Sequence, residues 1–411
     1  MCRLLIIPAI FIFVFNFSNI FAEAAETVKI GVLLPLTGSG AVLGEEQKRG
    51  IDMAIKKINA SGGALGKKVE VVIEDSKGDP TVIVSATEKL ITRDKVVGLT
   101  GGYFSTETLA MLAAMKKYEP VVVWDGGSAT KIDQMYGKER WYFMLHPRSP
   151  DFQRNIGDFL KTVQNPQPKR IALVYEDTSL GVDHSKVAKE YFTKLGFELV
   201  VFESFKTGSL DYSALLTKIK GTNPDVFYWI GYAGDAILFT KQAKELGFNP
   251  KMFLDTVGVG FPEYGDSLKK DAEYVCGIEA WIPSTKYPTS TQYPQFYPKT
   301  ADWVTEYKKL YNNKEPNYWS LISYVGLITL VNGINKAGTT EKDKLIAALE
   351  ATDTMTPMGR LKFFQNQFGA IHQGFSDMIV FQWQKGEKVA LFPKEAARGK
   401  LWYPTPSWDK R

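Results

Sequence analysis

The stretch VKIGVLLPLTGSG, residues 28–40, decides the fold class. Five of its first seven positions are aliphatic, the exceptions being Lys29 and Gly31, and its end is a turn rich in glycine. A segment of helical period follows at 44–60, where Ile51, Ile55 and Ile58 fall on one face. A strand, a tight turn and a helix that covers the strand form the repeating unit of a doubly wound parallel sheet. The sequence therefore predicts an α/β fold.

The same alternation continues to residue 124 and starts again at residue 170. Further strands are predicted in two groups, at 69–74, 96–99 and 121–124 in the first and at 171–175, 198–202, 226–230 and 252–254 in the second. Two such units in tandem predict two lobes. Ligands bind at the carboxyl ends of parallel strands, so the expected site is the cleft between the lobes. A last strand at 375–383 with a Lys385-Gly386 turn is predicted to end the regular structure.

The first residues indicate export. A positive start at 1–3, an apolar run at 4–17 and the small-x-small pattern Ala22-Glu23-Ala24 predict a cleaved signal peptide over residues 1–24 and a secreted protein. A permanent membrane anchor is the alternative. The apolar run is shorter than the roughly 20 residues that a spanning helix needs, which favours cleavage.

Composition excludes several classes of function. The chain has 411 residues and a net charge of only +5, without a basic patch, so no nucleic-acid partner is expected. Cys276 is the only cysteine after the predicted leader, so no internal disulfide is expected. His146, His184 and His372 stand too far apart to form a metal-ligand motif, and no G-x-S-x-G elbow is present. We expect no metal, no cofactor and no enzymatic activity.

One glycine motif suggests another function. Gly38-Ser39-Gly40 with Gly44, followed by Glu74-Asp75, loosely matches a dinucleotide-binding loop and its ribose-binding acid. The spacing G-x-G-x-x-x-G is a weak match, so an NAD-dependent dehydrogenase is a less favoured prediction. The alternative is a tight strand-to-helix turn, with Asp75 forming local turn hydrogen bonds.

Two turns rich in small and hydroxyl residues follow the strands at 96–99 and 121–124, namely residues 101–108 and 126–130. Free backbone N–H groups at such helix starts favour an anion, so a small carboxylate is one interpretation. The other is that Ser105, Ser128 and Thr130 only cap their own helices. Turn chemistry alone does not decide between them.

At these turns the sequence resembles the type I periplasmic binding proteins, specifically the leucine/isoleucine/valine-binding (branched-chain amino acid) family of ABC transporters. The matching stretches span nearly the whole predicted mature chain in order: residues 30–38, 50–55, 58–63, 74–75, 79–80, 211–213, 225–228, 231–232 and 381–383. The resemblance implies a periplasmic substrate-binding protein, in which two lobes close on a small-molecule ligand and are then recognised by membrane permease subunits.

The resemblance also implies how the chain divides between the lobes. The N-terminal lobe would comprise 26–145 and 278–352, and the C-terminal lobe 146–277 and 353–411, joined by a multi-strand hinge. A monomer is expected. A secreted sensor that uses the same closure to act on a membrane receptor is the alternative function.

Family roles transfer to individual residues at the cleft. The serine that takes the ligand carboxylate falls within 103–105, with Ser105 chosen for the hydroxyl. The residue whose carbonyl contacts the ligand matches Gly127, the next hydroxyl residue matches Ser128, and the second-lobe tyrosine matches Tyr232. Leu180 completes this predicted cleft.

Two positions differ from the family pattern. The acid that pairs with a ligand ammonium falls near Val257, unless Asp255 replaces it, and an aromatic position falls on Leu43. Aromatic side chains at Tyr103, Phe104 and Trp124 suit an aromatic or amine-free acid, or they belong to the core. The predicted ligand is therefore either a hydrophobic amino acid or an amine-free carboxylate.

Overall fold

A computed structural model describes residues 27–411, and the predicted leader at 1–24 lies outside the described residues. The strands are β1 (Val28–Leu34), β2 (Val69–Asp75), β3 (Leu99–Gly101), β4 (Val122–Trp124), β5 (Tyr142–Met144), β6 (Arg170–Glu176), β7 (Glu198–Phe205), β8 (Val226–Ile230), β9 (Met252–Asp255), β10 (Cys276–Glu279), β11 (Asp353–Thr356), β12 (Gly359–Lys362), β13 (Ile379–Gln384) and β14 (Glu387–Phe392). The helices are α1 (Ala41–Ala60), α2 (Pro80–Thr92), α3 (Ser105–Met115), α4 (Thr130–Tyr136), α5 (Ser149–Thr162), α6 (Ser179–Lys194), α7 (Ser213–Gly221), α8 (Ala233–Glu245), α9 (Pro262–Leu268), α10 (Thr300–Leu310), α11 (Tyr318–Ala337) and α12 (Lys342–Glu350).

The first lobe is built on a five-stranded parallel sheet in the order β2-β1-β3-β4-β5. Helix α11 comes from much later in the chain and packs along α1 and against β3 and β4. A Cβ on Gly50 of α1 would lie 1.9 Å from the carbonyl oxygen of Ser320. Only glycine therefore allows the two helices to approach this closely.

Helix α11 is nearly all buried, and its apolar side chains face the first sheet and α1. It begins where Asn317 accepts a hydrogen bond from the Ser320 N–H at 3.2 Å, and it ends at Gly338 in the left-handed conformation. Within residues 27–411, no helix has both the length and the apolar character needed to cross a membrane. The hydrophobicity of α11 is thus accounted for by its place in the core.

The second lobe is built on a seven-stranded sheet in the order β14-β13-β10-β9-β8-β6-β7. Strands β6 to β10 are parallel, whereas β13 and β14 join the edge as an antiparallel hairpin. Lys385 and Gly386 turn this hairpin with φ of 55° and 76°, a two-residue turn that matches strand twist. The predicted α/β fold with two doubly wound lobes is confirmed, with an added antiparallel edge.

Several local features follow from single residues. Asp79 accepts hydrogen bonds from the N–H groups of Thr81 and Val82 at 2.7 and 3.0 Å, with Pro80 as the first residue of α2. Asp75 accepts from Leu36 and Lys77 N–H, so it serves turn chemistry rather than an open ribose site. Cys276 is a free, buried thiol in β10.

Three segments connect the lobes, between β5 and α5, between β10 and α10, and between β12 and β13. The third passes beside the first, where Gly374 donates a hydrogen bond to the Met144 carbonyl at 2.6 Å. The hairpin β11–β12 bonds to the first-lobe side, since the Thr300 hydroxyl of α10 donates to the Pro357 carbonyl at 3.0 Å. The sequence-based division placed 353 onward with the second lobe, and the domain boundaries stay a prediction.

Candidate ligand-binding site

A small cavity lies where the loops at the carboxyl ends of the two sheets meet. The space inside it that is accessible to water is about 10 Å³, room for roughly one water molecule, so the loops of the two lobes are in close contact around it. Larger grooves exist near the lobe crossings, and charged side chains are among the residues that line them. The lining residues are Tyr103, Gly127, Ser128, His146, Phe152, Leu180, Tyr232, Val257, Tyr318 and Trp319.

Six of the ten residues predicted for the site line this cavity. They follow four strands and begin one helix, so residues far apart in sequence meet at one point. The six are Tyr103 after β3, Gly127 and Ser128 after β4, Leu180 in α6, Tyr232 after β8 and Val257 after β9. Their role as ligand contacts stays a prediction.

The other four predicted residues lie nearby without lining the cavity. Phe104 contacts Tyr232 edge-on, with ring centroids 5.2 Å apart. The Ser105 hydroxyl oxygen accepts a hydrogen bond from the Ala129 N–H at 3.3 Å. Asp255 and Leu43 are both buried in their own lobes.

Sequence reasoning missed His146, Phe152, Tyr318 and Trp319. Tyr318 and Trp319 begin α11, about 190 residues after Ser128, and they reach the cleft only because α11 docks on the first sheet. An aromatic pair directly after the helix-capping Asn317 is the one local signal that could have marked them.

Aromatic rings from both lobes meet at the cavity. Tyr103 of the first lobe lies 4.5 Å from Trp319 and 5.6 Å from Tyr232 of the second lobe, centroid to centroid. Trp319 also stacks on His146 at 5.1 Å. These faces can hold a flat or branched apolar group.

A buried chain of hydrogen bonds starts at Ser128. The Gln153 amide nitrogen lies 3.0 Å from Nδ1 of His184 and donates to it, because the Gln153 oxygen already accepts from the Tyr228 hydroxyl. His184 Nδ1 is thus an acceptor, and Nε2 carries the proton that it donates to the Ser128 hydroxyl oxygen at 2.7 Å. The Ser128 hydroxyl hydrogen is left free to donate elsewhere.

The two histidines near the cavity are neutral. Burial lowers the pKa of His184 to about 4 and that of His146 to about 3. Nδ1 of His146 donates to the Pro147 carbonyl, and its Nε2 accepts from the Tyr318 hydroxyl at 2.8 Å. Neither imidazole supplies a positive charge to a ligand.

Gly127 has a positive φ of 84°, and a Cβ there would lie 2.8 Å from the Thr108 hydroxyl. Its carbonyl oxygen, expected to contact a ligand, accepts a hydrogen bond from the buried Arg148 guanidinium. Arg148 in turn pairs with the Asp133 carboxylate. This pair fixes the β4–α4 loop and uses one lone pair of the Gly127 carbonyl.

Two carboxyl groups lie behind the second-lobe side of the cavity. Asp255 accepts from the Val259 N–H at 2.8 Å, and burial raises its pKa well above the usual value. Burial also raises the pKa of Glu176 to about 8, and one of its oxygens accepts from the Thr178 hydroxyl. Neither side chain lines the cavity, whereas Val257 does.

Two donors at the cavity have no hydrogen-bond partner among residues 27–411. These are the Tyr103 hydroxyl and the Trp319 indole N–H, both on buried side chains. A buried donor without a partner costs about 1–3 kcal/mol. Both groups are therefore suited to donate to an acceptor on a ligand.

Comparison with known proteins agrees with this architecture. Residues 27–388 match the family described as periplasmic binding protein. A curated relative, Leu/Ile/Val-binding protein homolog 7 of Brucella abortus (strain 2308), is 29% identical over 402 residues, covering 93% of this chain and 96% of the relative.

Two solved structures are similar in fold. One is the branched-chain amino acid transporter substrate binding protein LivJ from Streptococcus pneumoniae in complex with isoleucine, with a TM-score of 0.77, 22% identity and coverage of 92% of this chain and 100% of that chain. The other is an ABC transporter solute binding protein from R. palustris in complex with benzoate, with a TM-score of 0.76, 19% identity and coverage of 92% and 100%. The predicted type I periplasmic binding fold is confirmed.

Proposed function

The chain belongs to the periplasmic binding protein family, and we propose that it is the substrate-binding protein of an ABC importer whose ligand is a small, amine-free carboxylate. The observation that carries this proposal is the chemistry of the cavity lining. Across the described part of the chain, the lining offers O–H and N–H donors and aromatic faces but no charged side chain.

The acidic end of the ligand would accept hydrogen bonds from three neutral donors. The Ser128 hydroxyl has a free hydrogen, and the Tyr103 hydroxyl and the Trp319 indole N–H have no partner in residues 27–411. Hydrogen bonds to an ionised acceptor are roughly twice as strong as those between neutral groups. Three such donors can hold a carboxylate without a lysine or arginine.

The remainder of the ligand would be apolar. Phe152, Leu180 and Val257 bring only hydrocarbon to the cavity, and Tyr232 adds an aromatic face. Burying apolar ligand surface there contributes about 25 cal/mol per Å². The apolar character of this lining favours an aromatic or branched aliphatic body.

An ammonium group would lack a carboxylate partner at the cavity surface. Val257 stands where the family resemblance places an acid, and Asp255 directs one oxygen to the Val259 N–H. An ion buried without a partner costs several kcal/mol. This favours the amine-free acid among the two predicted ligand classes.

Thermal-shift titration tests the ligand class. The panel pairs benzoate, 3-phenylpropanoate and 4-methylpentanoate with their neutral amides. Ligands that bind only the folded protein raise its melting temperature by mass action. We expect the acids to stabilise the protein and the amides to fail, and equal stabilisation by the amides would contradict the carboxylate assignment.

The importer role and the location need separate tests in cells. We infer that the protein is a monomer that delivers its ligand to permease subunits. Deletion of its gene should then abolish uptake of the radiolabelled ligand. A sensor would instead change gene expression and leave uptake intact.

N-terminal sequencing of the periplasmic fraction tests cleavage after Ala24, because a leader retained in the periplasmic protein would contradict export by a cleaved signal peptide.

A further inference from the structure

Asp183 of the second lobe reaches across the cleft to the first lobe. Its carboxylate accepts a hydrogen bond from the Thr130 backbone N–H at 2.9 Å and another from the Thr130 hydroxyl. Thr130 is the first residue of α4, which follows β4 and precedes β5 along the chain. A side chain on one lobe therefore caps a helix on the other.

The same carboxylate also holds the second lobe's own entry segment. The hydroxyl of Ser149, the first residue of α5, donates to Asp183. The Ser149 N–H donates to the Ser128 carbonyl at 3.0 Å. One carboxylate thus ties α6, the start of α5 and the β4–α4 loop together.

The next residue of α6 repeats the contact. Nε2 of His184 donates to the Ser128 hydroxyl oxygen at 2.7 Å across the same boundary. Ser128 lines the cavity, whereas Asp183 does not. The contact made by Asp183 therefore depends on how the lobes are arranged and involves no ligand atom.

We propose that Asp183 is an inter-lobe latch, whose carboxylate stabilises the closed arrangement of the lobes enough for it to be populated before any ligand binds. This inference rests on the proposed function in one respect only, namely that the two lobes open and close. Opening would expose the Thr130 N–H and hydroxyl to water and would break two charge-assisted hydrogen bonds. Asp183 is in this sense a positioning residue.

Spin-label distance measurement tests the latch without any ligand. Val42, the second residue of α1, and Leu210, between β7 and α7, are 50% and 91% exposed and lie one on each lobe. Labels at V42C and L210C, in a background with C2A and C276A, report the lobe separation. We expect the unaltered latch to give a population of short distances, and Asp183→Ala to reduce the ratio of short to long distances about ten- to hundredfold.

A matched control separates the latch from a general loss of stability. Asp177 accepts hydrogen bonds from the N–H and hydroxyl of Thr207 at 3.0 and 3.1 Å, entirely within the second lobe. Asp177→Ala removes the same kind of contact and should leave the distances unchanged. Thr130→Val, which keeps the backbone N–H and removes the hydroxyl, should give a smaller shift in the direction of Asp183→Ala.

Two results would overturn the proposal. One is a parent protein with only long distances, because the latch would then not hold the lobes closed. The other is Asp183→Ala or Thr130→Val with unchanged distances. No ligand is added here, so the measured distances do not depend on whether any acid of the thermal-shift panel binds. The two proposals can therefore fail independently.

Discussion

The first-lobe and second-lobe walls of the cavity are both formed by loops at strand ends and helix starts, yet they present different chemistry. The first wall, Tyr103, Gly127, Ser128, Tyr318 and Trp319, carries a hydroxyl or indole N–H on every side chain except the glycine. The second wall, Phe152, Leu180, Tyr232 and Val257, carries one hydroxyl and three hydrocarbon side chains. The difference indicates a ligand with one polar end and one apolar body, held in a fixed orientation.

The carboxyl groups of the second lobe sharpen this contrast. Glu176 and Asp255 lie behind the second wall, and burial raises the pKa of both. The carboxyl groups of the second lobe therefore lie away from the cavity surface. The Glu176 carboxyl is protonated at neutral pH. At the second wall, a ligand amine would contact hydrocarbon side chains before it could reach either carboxyl group.

The largest expected effect comes from placing an acid on the second wall. Val257→Glu should weaken binding of the acid that gave the largest thermal shift by about 3 kcal/mol or more, because a buried carboxylate would lack a partner and would repel the ligand. Val257→Gln, which adds a polar group without charge, should lose less. Isothermal titration calorimetry measures both, and equal losses would show that charge is not what the second wall excludes.

The next effect concerns Glu176 behind the same wall. Its folded-state pKa of about 8 exceeds the usual value, so its stabilising contribution is complete below about pH 4.5 and is lost as the pH rises toward 8. The free energy of unfolding of the native protein should therefore fall relative to Glu176→Gln between pH 5 and 8, by up to about 1.4 kcal/mol per pH unit. Urea unfolding at several pH values measures the difference. A difference that is constant with pH would place Glu176 in contact with solvent.

A smaller loss is expected on the first wall. Ser128→Ala removes a donor to the ligand and should weaken acid binding by about 1–3 kcal/mol. Ser105→Ala is the matched control, because the Ser105 hydroxyl is equally buried and bonds to Ala129 without lining the cavity. If both variants lose the same affinity, Ser128 acts through the fold and has no direct contact with the ligand.

The smallest effect has opposite signs in two measurements. Tyr103→Phe removes a buried hydroxyl with no partner in residues 27–411, so the ligand-free protein should become slightly more stable. The same change should weaken acid binding by about 1 kcal/mol. Thermal unfolding and calorimetry on one preparation check both signs, and weakened stability with unchanged binding would remove Tyr103 from the site.

The sequence predicted those parts of the fold and site that depend on local order along the chain. Tyr103, Ser128 and Tyr232 follow strands whose β-branched runs are visible in the sequence, and parallel strands bring such loops to one edge. The Asp79-Pro80 helix start was equally visible, because capping needs only neighbouring residues.

The rest depended on contacts between distant segments. Tyr318 and Trp319 reach the cavity because α11 packs against α1 at Gly50, a contact that no local pattern encodes. Whether Asp255 or Val257 lines the cavity depends on which side of the β9 end faces the cleft. These two positions are only two residues apart, and the sequence does not distinguish them. The Arg148–Asp133 pair that fixes Gly127 joins two segments and could not be read from either alone.

Calorimetric titration with leucine and 4-methylpentanoate, which differ only in the amine, tests the contrast between the walls most directly. We expect 4-methylpentanoate to bind and leucine to bind at least about a hundredfold more weakly, since the amine would be buried without a partner. Tighter binding of leucine would contradict the account, because a carboxylate such as Glu176 or Asp255 would then have to reach the ligand.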